Sequence, residues 1–181
     1  MQTTINKAGQ PLGVAGQFAD NGEGVDVVSR FSTESSAVIP FGVGVKPDST
    51  YRDGVKLMSG SSDVVEGVSA WGFNHQVGAN GDLDQTNGGL KPKAGLQVVK
   101  KGRVLVVVDA GVSSIAPNVD RAYVRYSANG GNTVIGAFSN ASDSGHNTDI
   151  TKQAIFTSGI FTSADGTTKL AELEVDFTNK A

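Results

Sequence analysis

The feature that most constrains this chain is its punctuation. From Val25 onward, apolar blocks of four to seven residues, rich in Val, Ile and Phe, are broken by clusters of Gly, Asn, Asp and Ser. β-Branched and aromatic side chains fit a pleated, half-buried surface, and the breakers tolerate the backbone angles of tight turns. No segment places apolar residues at spacings of three and four, so helix should be scarce. Strands at this density must stack or close to bury one face, which predicts an all-β fold, an antiparallel β-sandwich of jelly-roll or related Greek-key type.

Three stretches sharpen the picture. Leu173, Val175 and Phe177 alternate with Glu172, Glu174 and Asp176, a period of two that describes a strand with one wet face. In Arg121 to Tyr126, Ala122, Val124 and Tyr126 alternate in the same way with Arg121, Tyr123 and Arg125. Val104 to Val108 is apolar throughout, which predicts a central strand buried on both faces. Exposed, such a run is an aggregation hazard, so its edges should be covered by a loop or a sister subunit. Hairpin turns are expected at Asn129 and Gly130, at Asp165 and Gly166, and at Lys100 to Gly102. Pro40 lacks an amide donor and belongs at an edge or a bulge.

Residues Met1 to Gly24 are rich in Gly, Asn, Gln and Thr and show neither period, so they read as a flexible N-terminal arm ahead of a domain spanning 25–181. A length of 181 residues fits one domain with such an arm. The net charge of -3 disfavours an affinity built on neutralised phosphates, so no nucleic-acid partner is expected. With no Cys there is neither a disulfide framework nor a thiol nucleophile. The first ten residues lack the apolar run of a secretory signal, and no stretch approaches the roughly 20 apolar residues of a spanning helix. A soluble protein with no membrane partner is expected.

Candidate chemistry is sparse. His75 and His146 sit in polar loops; with Asp143 or Asp149 they could in principle form a metal site, but loop histidines are the commoner reading. The oxygen-rich segment Gly78 to Gly89 looks like a calcium loop, yet Thr86 stands where an Asp or Asn should be and no closing Glu follows. Asn140 to Ser142 matches a glycosylation triplet but has no export signal beside it. Trp71 with Phe73 could be a platform for a sugar ring, though core or interface aromatics are more usual. No catalytic residue, metal ligand or cofactor is assigned.

Four phrases carry a family likeness: Val28 to Ser36, Ile39 to Val45 (IPFGVGV), Val65 to Trp71 (VEGVSAW) and Val98 to Val108 (VVKKGRVLVVV). In this order, behind an arm, they resemble the head decoration, or cement, proteins of tailed bacteriophages. The resemblance implies a non-enzymatic virion protein with a jelly-roll or β-tulip fold and no cofactor. It would be made in the bacterial host cytoplasm and assemble as a dimer or trimer. On the outer surface of the capsid it would bind the major capsid protein and bridge neighbouring capsomers. The arm is then the expected contact, through Gln2, Thr3, Ile5, Pro11, Leu12 and Phe18, adding a strand to a capsid sheet edge. Two other readings stand beside it: a carbohydrate-binding or adhesion module of a phage fibre or cell surface, and an enzyme with a carboxylate site.

Overall fold

The computed structural model describes residues 13–19, 24–71, 89–164 and 166–178, together with the backbone of 83–84. These hold β1 (Asp26–Ser32), β2 (Ile39–Pro40), β3 (Gly44–Pro47), β4 (Gly54–Leu57), β5 (Gly67–Ala70), β6 (Leu83–Asp84) and β7 (Gly89–Leu90). There follow β8 (Gly95–Val107), β9 (Tyr123–Arg125), β10 (Phe138–Ser139), β11 (Asn147–Asp149), β12 (Ala154–Phe156), β13 (Phe161–Thr162) and β14 (Lys169–Asp176). No helix occurs among the described residues.

The all-β expectation holds, but the arrangement differs from a wholly antiparallel sandwich. Pairing runs β1-β4-β3-β5-β8 and returns from β8 to β1, closing a five-strand ring. Directions cannot alternate all the way round a ring of five, so one neighbouring pair must be parallel. That pair is β1 and β4, with Phe31 opposite Gly54 and Ser32 opposite Val55. Closure removes the open edges that a short sheet would otherwise present. Alternate residues of the ring strands, among them Val45, Val55, Leu57, Leu96 and Val98, share one apolar cluster with Ile39, Phe41 and Leu90.

Strand β8 links two parts of one eight-stranded sheet. Its first half pairs with β1 and β5, and its second half with β14, whose far edge carries β12 and β13. The expected turn at Lys100 to Gly102 is therefore absent, and β8 runs straight through it. Instead the register slips there: Asp26 lies opposite Lys101 while Val27 lies opposite Val99. Gly102, at φ 119°, takes a backbone angle that a side chain would resist. Residues that suit a turn also suit a bulge, and here the bulge redirects one strand from the ring to the flanking sheet.

Val104 to Val108 are all buried, as their composition requires. Val104 and Val106 share a second core cluster with Val124, Phe138, Phe156, Leu173 and Val175. Strand β14 alternates as expected, with Leu173 and Val175 buried while Glu174 is exposed. Pro40 lies on β2, an edge strand of the small sheet β2-β7-β6. Asn129 and Asn132 exchange two backbone hydrogen bonds of 3.0 Å around Gly130, which has a φ of 56°. Gly166, at φ 75°, turns the chain between β13 and β14.

Candidate functional surfaces

The end of the expected arm is laid along the body. The Gly16 amide donates to the Leu105 carbonyl at 2.7 Å, and the Leu105 amide donates to the Gln17 carbonyl at 2.9 Å. The Ala19 amide continues the row to Arg103, so residues 16–19 cover one edge of the second half of β8. The seat is built for glycine. A Cβ on Gly16 would lie 2.7 Å from the Trp71 nitrogen and 2.8 Å from the Ser69 oxygen; one on Gly42 would lie 2.8 Å from the Gly16 nitrogen. Gly16 and Gly42 also hold φ of 79° and 71°, respectively, where a side chain adds strain.

Of the expected arm contacts, Phe18 is partly buried against the chain's own core and bridges to Val104. Gln2, Thr3, Ile5, Pro11 and Leu12 lie outside the described residues. Trp71 is half-buried against the ring core, and its amide donates to the Gly16 carbonyl. Phe73, His75 and most of the Gly78 to Gly89 loop are outside the described residues.

Arg125 corrects the alternation expected for Arg121 to Tyr126. The alternation puts it on the wet face, yet only 1% of it is exposed. Its guanidinium reaches both oxygens of buried Asp109, with Nε 2.9 Å from Oδ1 and Nη2 2.7 Å from Oδ2. Nη2 also donates to Asp143 at 2.9 Å, and Nη1 to the Ser127 carbonyl at 3.0 Å. Asp109 and Asp143 push the guanidinium further up from its ordinary pKa. A buried charge persists only when paired and hydrogen-bonded this completely. The result is a clamp joining the end of β8, strand β9, the Asn129 turn and the Asp143 loop. Sequence alternation shows which face a residue takes but not its partner; the only local sign was an Asp placed directly after an all-apolar run.

The remaining candidate groups are engaged inside the chain. His146 Nδ1 lies 2.9 Å from the Ser127 hydroxyl, and Asp149 accepts from the Thr151 amide. Asn140 of the glycosylation triplet donates to Ser114 at 3.0 Å and Asp120 at 2.7 Å. Among the described residues no three His, Cys, Asp or Glu side chains are grouped as a metal site. Asp48, Asp63, Asp120, Asp143, Asp149 and Asp176 all have pKa values lowered from the ordinary carboxylate value. For Asp48 the main cause is Lys56, whose Nζ sits 2.8 Å away, followed by the Thr33 hydroxyl. A general acid at neutral pH needs a shift in the opposite direction.

The family model described as structural cement protein (E217 gp24/Pam3 gp6) matches residues 1–176 of the chain. The chain belongs to the phage structural cement protein family. A solved structure titled "The capsid of Myoviridae Phage XM1" contains a chain of the same fold, with a TM-score of 0.62 at 14% identity. That likeness covers 96% of this chain and 98% of the other. The curated proteins yield no match. This cement protein is thus a structural, capsid-associated protein of a phage virion. Its exposed large apolar residues include Tyr51, Val64 and Val119. Isolated apolar side chains of this kind are normal on a monomer, so they single out no contact face.

Proposed function

We propose that this cement protein binds the outer surface of the expanded phage head and bridges neighbouring capsomers, stabilising the shell against internal pressure. The observation that carries this reading is the family match over residues 1–176. The physical requirement is differential binding: a cement stabilises one lattice state only to the extent that it binds that state better than the precursor. Repeated area and complementarity meet that requirement without a reactive side chain. A closed ring with lowered carboxylate pKa values and open surface grooves suits such a part. Residues 1–12 would add contact area to the shell. A dimer or trimer at a local symmetry axis would place several copies of each contact together.

Co-sedimentation with empty expanded heads and with unexpanded precursor shells tests the proposal. Saturable pelleting with expanded heads alone is expected, and absence from both pellets would overturn it. The carbohydrate-binding alternative needs a solvent-facing aromatic platform, and half-buried Trp71 does not favour it.

A further inference from the structure

The Asn129 turn carries a reactive pair at the rim of the buried clamp. Asn129 and Gly130 are both exposed, and Asn129 closes the turn through its two backbone hydrogen bonds with Asn132. Gly130 leaves its own amide free: among the described residues nothing accepts from its N–H. A Cβ added to Gly130 would meet no atom within 4 Å, so this part of the turn lies in open space. In an Asn-Gly pair the glycine nitrogen attacks the preceding side-chain amide readily, because glycine has no side chain to obstruct the approach. The Gly130 nitrogen bonds to Asn129 Cγ and loses its proton, the Cγ–Nδ2 bond breaks, and Nδ2 leaves as ammonia. Water then opens the cyclic imide at either carbonyl, giving an aspartyl or an isoaspartyl product. No oxidant or reductant is needed.

What sets this pair apart is the hold on the leaving nitrogen. Asn129 Nδ2 donates to both oxygens of Asp143, at 3.0 and 3.2 Å. Asp143 is itself fixed: Oδ2 accepts from Arg125 Nη2 at 2.9 Å, its amide donates to Asn147 Oδ1 at 2.9 Å, and its carbonyl accepts from the His146 amide at 2.9 Å. Arg125 is the main cause that lowers the pKa of Asp143 and keeps it ionised. An ionised carboxylate only accepts hydrogen bonds, so it offers Nδ2 no proton with which to leave. The same contact holds the side chain against the body, and the imide closes only when that contact opens.

We infer that Asn129 is a slow modification site, losing its side-chain amide to attack by the Gly130 nitrogen, and that Asp143 is the brake on that reaction. The product puts a carboxylate where an amide now donates to Asp143, so like charges replace a hydrogen bond at the edge of the clamp. The isoaspartyl form also lengthens the main chain by one carbon, which disrupts the pairing of Asn129 with Asn132. The clamp thus loosens with age at its exposed rim, while Arg125 and Asp109 stay paired beneath. This inference is independent of shell binding.

The test is peptide mapping by mass spectrometry of the full chain held in warm, mildly alkaline buffer, for wild type and Asp143→Ala, with far-ultraviolet circular dichroism as the folding check. The sequence supplies internal references, since Asn21, Asn80 and Asn87 also precede glycine. Conversion at Asn129 is expected in wild type and should run about tenfold faster in Asp143→Ala, as fits the loss of hydrogen bonds to a charged group, with the references unchanged. Asn129 intact in both proteins would overturn the site, and equal rates would overturn the brake. Acceleration shared by Asn129 and all the references would also overturn it, because general loosening would then be the cause. If Asp143→Ala does not fold, wild type in urea takes its place: Asn129 must then convert about tenfold or more faster than in the native chain, and an equal rate overturns the inference.

Discussion

The two halves of β8 solve the same problem differently. In the ring, β8 pairs with β1 over Gly95 to Lys101 and with β5 over Gln97 to Val99, so pairing alone closes the structure. Beyond Gly102, one edge is taken by β14, and the other is covered by a short segment from the N-terminal side of the chain. The first half alternates in exposure, whereas the second is buried from Val104 onward. A closed ring needs no further cover. The flank depends on a borrowed strand, a glycine seat and a buried ion clamp, and it leaves one charged face toward water.

The sharpest way to break this contrast is to cut the clamp. Arg125→Ala should cost about 3–5 kcal/mol in urea unfolding, because it leaves Asp109 as an uncompensated buried charge. Replacing both partners with apolar residues, Arg125→Met with Asp109→Leu, should recover much of that loss. A cost below about 1 kcal/mol for the single change would show that the clamp does not hold the flank.

A smaller effect is expected at the glycine seat. Gly16→Ala forces a side chain into a left-handed angle, worth about 1–2 kcal/mol, and into backbone 2.7 Å away. Limited proteolysis should then cut near residues 13–24 while the ring stays resistant. Equal resistance in variant and wild type would contradict the borrowed-edge description.

The smallest predicted effect lies in the ring, and it fades in acid. Asp48 is held ionised by Lys56, Thr33 and the Thr50 amide, so its folded pKa lies below its unfolded value. Its stabilisation is present above the ordinary carboxylate pKa of about 3.9 and is lost as pH falls through the folded value. Asp48→Asn should therefore lower the neutral plateau of a melting-temperature profile and flatten its acid limb below about pH 4, the two profiles converging as pH falls. An unchanged acid limb would remove Asp48 from the linkage.

Local chemistry was legible in the sequence, and closure was not. The alternation of β14, the buried run Val104 to Val108, the edge position of Pro40 and the turns at Gly130 and Gly166 each depend on a few adjacent residues. Ring closure depends on β1 meeting both β4 and β8, a fact of register between distant segments that no local pattern carries. The parallel pair follows only once the number of strands in the ring is known. Lys100 to Gly102 misled because turns and bulges use the same residue types, and Arg125 because its partner Asp109 lies beyond any local window. The functional class was legible through four short phrases resembling cement proteins, and the family match now spans nearly the whole chain.

The most direct measurement is a cryo-electron-microscopy reconstruction of expanded heads saturated with the full chain. The predicted result is density for the five-strand ring on the outer surface, with each copy or oligomer touching two neighbouring capsomers. Density confined to the inner surface, or resting on one capsomer without reaching its neighbour, would contradict the bridging function.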